Sequence, residues 1–380
     1  MANVLTDLAA DLYKAADVVA RELTGTIPAS TINANGSERV AKGDVIRSHF
    51  TRPATSLDIS ESMTIPEGTD QTVDNKTATI SKTKAVQIPW TGENMKHVNN
   101  GSGFETIYGD QIAQAMRKLA NEVEYDSNVS LAQNASRAVG TAGTTPFSAN
   151  FDLIAQGRQI LVDNGMPTND GLLSLVLSTS AGTNLRNLAQ LQKVNESGND
   201  ALLRQGVLLD LQGAMLRESG SMYSHAAGTG ANYLTTALLP IGTSTITVDT
   251  GTGTILAGDV VTFAGDTNKY VVATALAGGS FTIGESGLRT AVANNAAVTV
   301  GAGYSGNIMF HRGAHEIIVR PPAVPEGGDA ADDAMVVQDP RSGLLFEVRV
   351  YKGYRKAMFE VALAWGQKTW MPKYVAQVLG

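Results

Sequence analysis

Cysteine is absent from the 380 residues, and disulfide frameworks, thiolate zinc sites and cysteine nucleophiles go with it. Charge is sparse as well. Asp, Glu, Lys and Arg make up 17% of the chain, and the formal net charge is −7. Without Lys/Arg runs such a chain lacks the basic footprint that grips a phosphate backbone, so direct nucleic-acid recognition is not expected. No stretch reaches the eighteen or so consecutive apolar residues of a membrane-spanning helix. Asp7, Asp11 and Asp17 stand where a secretory signal would carry its apolar run, so no signal is expected and synthesis inside the cell is. Catalytic signatures are missing too: the sequence has no Walker A run, nucleophile elbow or H-E-x-x-H.

Glycine, by contrast, is plentiful at 39 residues. Low charge with abundant glycine fits a chain that hides much of its surface against copies of itself. The length suggests two or three domains. One helical pattern is far longer than the rest. From Ser102 to Val139, Ile112, Met116, Leu119, Val123, Leu131 and Ala135 recur at helical steps, while Arg117, Lys118, Glu122 and Asp126 fall off the stripe. Ser102 and Glu105 form a capping-box start, and Gly140 and Gly143 are the expected stop. Such a helix spans roughly 50 Å and suggests a strut.

Ahead of it, Leu5, Leu8, Leu12 and Val19 predict a short amphipathic arm ending before Gly25 and Pro28. Residues 29 to 100 are rich in Thr, Ser, Asn and Gly. Leu57, Ile59, Met63 and Ile65 alternate with polar residues, and a more polar run follows from Thr77 to Ile88. Together they predict a long hairpin too polar to bury a core of its own, and so laid on a neighbouring molecule. After the strut, a helix capped by Asn150 from Phe151 to Gly165, a strand at Leu172–Leu177, a helix opened by Ser180 or Thr183 and a strand at Val207–Leu211 describe a small α/β domain.

Composition shifts near Ser224. Thr245–Asp249, Asp259–Phe263, Lys269–Thr274, Phe281–Ile283 and Ala297–Val300 are short runs bounded by turn residues, the spacing of an inserted barrel or sandwich. A strand at His315–Arg320, a loop from Pro321 to Asp333 and an antiparallel pair, Leu344–Tyr351 with Lys356–Trp365, complete the pattern. Phe346, Val348 and Val350 give that pair an apolar face that fits the long helix.

Four motifs bear on chemistry. Gly301, Gly303 and Gly306 spell G-x-G-x-x-G, but they follow a strand of the all-β unit and open no βαβ unit, which favours a re-entry linker over a nucleotide site. His311 and His315 have metal-pair spacing, yet Gly313 and the strand after it argue against a shared helical face. Asp329, Asp332 and Asp333 lack Ca²⁺-loop spacing. Glu122 and Asp126, one turn apart, either accept Arg or Lys from another subunit or face water.

The order of parts, together with Arg117-Lys118-Leu119-Ala120-Asn121 and Val123-Glu124 on the helix, Gly258-Asp259-Val260-Val261-Thr262-Phe263-Ala264-Gly265 in the insertion, Leu203-Arg204-Gln205-Gly206 and the strand before Pro321-Pro322, resembles the major capsid (coat) proteins of tailed double-stranded DNA bacteriophages. The resemblance is to the branch with an insertion domain, as in the coat protein of the short-tailed Salmonella phages. It implies an α+β class: the tailed-phage major capsid protein fold, with a long spine helix, an extended loop, axial and peripheral domains, and an inserted small all-β barrel domain. The implied division is an N-terminal arm at 1–28, the extended loop and its flanks at 29–100, a peripheral domain at 101–143 and 336–380, an axial domain at 144–224 and 304–335, and the inserted barrel at 225–303.

In function, the resemblance implies a structural protein, not an enzyme, that self-assembles as pentamers and hexamers into an icosahedral head. Its implied partners are copies of itself, a separate scaffolding protein, a portal protein, and packaged double-stranded DNA held without sequence-specific binding, with no membrane. Residence in the virion, after assembly in the host bacterial cytoplasm, is implied as well. Inter-subunit contacts are expected at Arg52, Glu67, Asp70, Arg117, Glu122 and Asp126. No catalytic residue, cofactor or metal ligand is expected. The competing readings are an α/β enzyme with a β accessory domain and a phage tail or surface structural protein.

Overall fold

The computed structural model describes residues 24–51, 56, 58, 59, 61, 63, 64, 73–99, 104–193, 208, 210–339 and 342–380. The arm predicted from Leu5 to Val19 lies outside them, as do the Ser102 cap and Leu203-Arg204-Gln205-Gly206.

One long helix organises the body. Helices here are α1 (Thr26–Ala29), α2 (Gly92–Asn99) and α3 (Phe104–Gln133), the last of 30 residues and about 45 Å. Ile112, Met116, Leu119 and Val123 of α3 are buried against a six-stranded sheet. That sheet runs β1 (Thr31–Ala34), β16 (His315–Arg320), β19 (Lys356–Thr369), β18 (Leu345–Gly353), β17 (Ala331–Gln338), with β4 (Lys82–Thr91) also paired to β19. Phe346, Val348, Val361, Leu363 and Trp365 supply the sheet side of this core. The apolar face expected from the alternation of Phe346 and Val348 therefore lies on the helix.

The helix stops earlier than its periodicity suggests. Asn134 bonds back to the Ser130 carbonyl, Ser136 donates its N–H and hydroxyl to the Val375 carbonyl, and Arg137–Gly140 becomes strand β5. β5 pairs in parallel with β20 (Val375–Leu379), so a sheet ladder takes over the backbone groups that a longer helix would use.

The predicted hairpin is also redrawn. β2 (Val45–Thr51) pairs with β3 (Val73–Thr79), whereas Lys82–Ile88 belongs to the main sheet, aligned with β19 from Lys356↔Thr91 to Trp365↔Lys82. Val86 and Ile88 pack on the main core and Trp90 is buried, so this polar-looking run is held by its own chain. The described residues between Ser56 and Thr64 are not in strand, and the rest of Leu57–Ile65 lies outside the description.

A second, twelve-stranded sheet begins with α4 (Asp152–Asp163) and α5 (Thr179–Asn187) packed on it. Its body strands are β5, β20, β15 (Tyr304–His311), β6 (Leu173–Ser178) and β7 (Met215–Ser219), with β8 (Ser224–His225) on β15. Ser178, rather than Ser180 or Thr183, caps α5 by accepting from the Ala181 N–H. Leu211 forms only an isolated bridge to Ala214; Val207 and Leu209 lie outside the description.

The same sheet continues into a closed six-stranded barrel: β11 (Val260–Phe263), β14 (Ala297–Val300), β9 (Tyr233–Thr235), β10 (Thr245–Asp249), β13 (Ser280–Ile283) and β12 (Lys269–Ala277), closed by β11 on β12. Ile246, Val261, Phe263, Tyr270, Val272, Phe281 and Leu288 fill it. Five of the six strands match expected runs, and β9, only three residues long, carries no legible alternation. The barrel joins the body where β12 pairs with β5. Gly284 is needed there, because a Cβ would sit 2.6 Å from Ser136 Cα.

Because it encloses its own core, the fragment 225–303 is expected to fold alone. Dispersed amide resonances and a β-type circular dichroism spectrum are the expected result; a random-coil spectrum would show that the barrel depends on β5.

Candidate assembly surface

Along α3 the polar face meets the two lysines of β4. Lys82 Nζ donates to Asp126 Oδ1 at 2.7 Å, and Trp365 Nε1 donates to Asp126 Oδ2 at 3.0 Å. Lys84 bonds Glu122, which also has Lys118 one turn away at 3.5 Å. Burial pushes the Glu122 carboxyl up, but the bond and charge of Lys84, with Lys118, outweigh it and hold the group below its ordinary range. Glu122 and Asp126, expected as acceptors for a neighbouring subunit, each take a cation from strand β4 of their own chain. Arg117 is half-buried and donates to Gln114 Oε1. Arg52, Glu67 and Asp70 lie outside the described residues.

A second polar network fixes the far side of the sheet. Buried Glu347 receives both Nη atoms of Arg39, and Arg349 Nε stands 3.0 Å from it as an ion pair whose alignment falls short of a hydrogen bond. Arg349 and Tyr351 both donate to Asp329, and Lys352 pairs with Asp332 at 2.6 Å. The acidic run at 329–333 is thus tied to β18, and β17 starts inside the stretch expected to be loop.

The histidine pair separates. His311 Nε2 bonds Asp170 at 2.6 Å, whereas His315 is fully buried, with Nδ1 3.2 Å from Thr369 Oγ1 and no partner for Nε2. No group of three metal-ligating side chains occurs among the described residues. Gly303 passes so close to β8 that a Cβ would lie 2.7 Å from the His225 carbonyl, a packing reason for one glycine of the G-x-G-x-x-G run.

Burial pushes the His315 imidazole down to about 3 from its usual 6.5. Below pH 6.5 the unfolded chain binds a proton that the folded chain refuses, so this group's effect on stability is absent above that value. Stability falls as pH drops from 6.5 toward 3, by up to on the order of 4 kcal/mol. Urea midpoints measured across that range should fall less steeply for His315→Gln than for the wild type; parallel curves would mean that His315 is protonated in the folded state.

The exposed candidates for contact lie elsewhere. Tyr354, 88% exposed at the β18–β19 turn, has the Arg355 guanidinium 5.6 Å from its ring, and Arg355 itself adopts a φ of +54°. On the barrel, Leu238 and Ile241 project from the β9–β10 loop, 67% and 68% exposed, while Leu239 between them is buried. None of these was among the expected contacts. A large apolar or aromatic residue beside Gly353 or Pro240 in a turn is the only sequence signal they carry.

No family model matches the chain, and no curated protein matches it. Solved structures do. The capsid structure of the Cyanophage P-SCSP1u matches with a TM-score of 0.50 at 11% identity, over 92% of this chain and 86% of that one. A structure of Mycobacterium phage Che8 gives 0.48 at 16% identity, over 89% and 85%, and the capsid of a native GTA particle 0.49 at 11%, over 94% and 90%. The cyanophage likeness covers 92% of this chain: this chain has the fold of a phage capsid protein.

Proposed function

We propose that this chain is a major capsid protein, a structural protein and not an enzyme, whose copies assemble as pentamers and hexamers into an icosahedral head around double-stranded DNA. The observation that carries the reading is the fold itself: a 30-residue helix laid on a mainly antiparallel sheet, matched over 92% of the chain by a capsid structure. The body divides into a peripheral part built on α3, β18 and β19 and an axial part built on β6 and β15, with the barrel inserted between β8 and β15; β16, expected in the axial part, pairs with β19, and β20, expected in the peripheral part, pairs with β15. That insertion supports the branch resembling the coat protein of the short-tailed Salmonella phages. A scaffolding protein and a portal protein complete the assembly, which takes place in the host bacterial cytoplasm, and the chain ends in the virion. The acidic net charge suits a container that must release its hold on the genome it receives.

Electron microscopy of the purified protein, alone and with its scaffolding partner, tests this. Closed shells are expected. Discrete small oligomers under both conditions would overturn the proposal, and open tubes would point to a tail protein.

A further inference from the structure

The cleft between the barrel and α4 holds more positive charge than the chain neutralises. It encloses about 360 Å³, floored by β5 and walled by α4 on one side and the start of β12 on the other. Arg137, 5% exposed, reaches into this seam. Its Nη1 donates to Asn268 Oδ1 at 3.2 Å and its Nη2 to the Ile160 carbonyl at 3.3 Å, while its Nε–H has no acceptor. The one carboxylate at the site, Asp163, stands 3.6 Å from Nη2. Lys269 on the opposite wall donates to the Gly140 carbonyl, which carries no charge to offset its own. Arg289, exposed on the loop after β13, acts on Arg137 as a like charge, and its side chain has no hydrogen-bond or carboxylate partner among the described residues.

Two cations lining the cleft therefore share one loosely held carboxylate, in a chain whose net charge is −7. A buried guanidinium with an orphaned N–H and a like charge beside it is costly unless something supplies acceptors. We propose that this cleft binds an oxyanion of the phosphate class. Arg137 and Lys269 supply the charge at its base, and Gln159 offers an amide from α4. A tetrahedral oxyanion presents several acceptor oxygens to such a fork, and it would join barrel to body through charge-assisted bonds. The site needs only one copy of the chain, so it stands or falls independently of shell assembly.

Thermal unfolding of the full chain in inorganic phosphate, against sodium chloride at equal ionic strength, reads the binding. The midpoint is expected to rise by a few degrees at about a hundredfold excess over the dissociation constant. Arg137→Gln is a poor probe because it disturbs a buried group. Lys269→Gln and Arg289→Gln change side chains nearer the surface; the first is expected to lose most of the phosphate response and the second, which removes a charge outside the lining, a smaller part of it. Phosphate also stabilises proteins through exclusion from their surfaces. A rise of equal size in the wild type and both variants would be that general effect and would overturn the proposal, as would identical curves in phosphate and chloride.

Discussion

Leu119→Arg is expected to abolish the folded body. Leu119 is 1% exposed at the centre of the contact between α3 and the six-stranded sheet, among Met116, Val123, Phe346 and Trp365. An arginine there either buries a guanidinium with no partner or forces the helix off the sheet. Either route costs about 4 kcal/mol or more, a large share of what a domain has to lose. Soluble yield should collapse, and any recovered protein should lack a cooperative urea transition. A variant that unfolds at the wild-type midpoint would show that this face of α3 does not carry the body.

Glu124→Ala is expected to be nearly as damaging, for a different reason. Glu124 is fully buried on α3, and its two oxygens accept three backbone N–H groups, those of Gly25, Thr26 and Ile27, each at 2.8 Å. Beside it, Asn128 takes the Thr26 hydroxyl and donates to the Ser221 carbonyl. These bonds fix the point at which residues 24–30 meet the strut. Alanine leaves three buried donors without acceptors, at a cost of roughly 3 to 5 kcal/mol. Glu124→Gln, which keeps one carbonyl acceptor, should recover part of it. The readouts are the urea midpoint and hydrogen exchange of the amides at 25–27. Unchanged protection of those amides in the alanine variant would rule out the carboxylate as their anchor.

The helix and the barrel were legible because each writes a period into the sequence. The α3 stripe repeats at helical steps over about five turns, from Ile112 to Leu131, and the barrel strands are short alternating runs between glycines. What stayed hidden depends on partners distant in sequence. β4 reads as a solvated ribbon because Lys82 and Lys84 are charged; the acids that receive them lie some forty residues on, at Asp126 and Glu122. β17 opens with Asp332 and Asp333, whose pairing with β18 is invisible locally. Val139 keeps helical spacing from Ala135, but Arg137–Gly140 is drawn into a ladder with β20, at the far end of the chain. The candidate contact residues were the least legible, since Tyr354, Leu238 and Ile241 are marked by exposure, which only the folded chain defines.

The closure of β11 onto β12 bears on how identical chains can crowd together safely. An open six-stranded sheet of this kind would end in two rows of unpaired backbone groups, and every neighbouring copy would offer the same two rows as templates. Strands would then cross from molecule to molecule in an unbounded series. In the ring each barrel strand is paired on both sides by its own chain. Adjacent copies can meet there only through side chains such as Leu238 and Ile241. Contacts of that kind can be reversed and corrected, as the proposed shell of many copies requires.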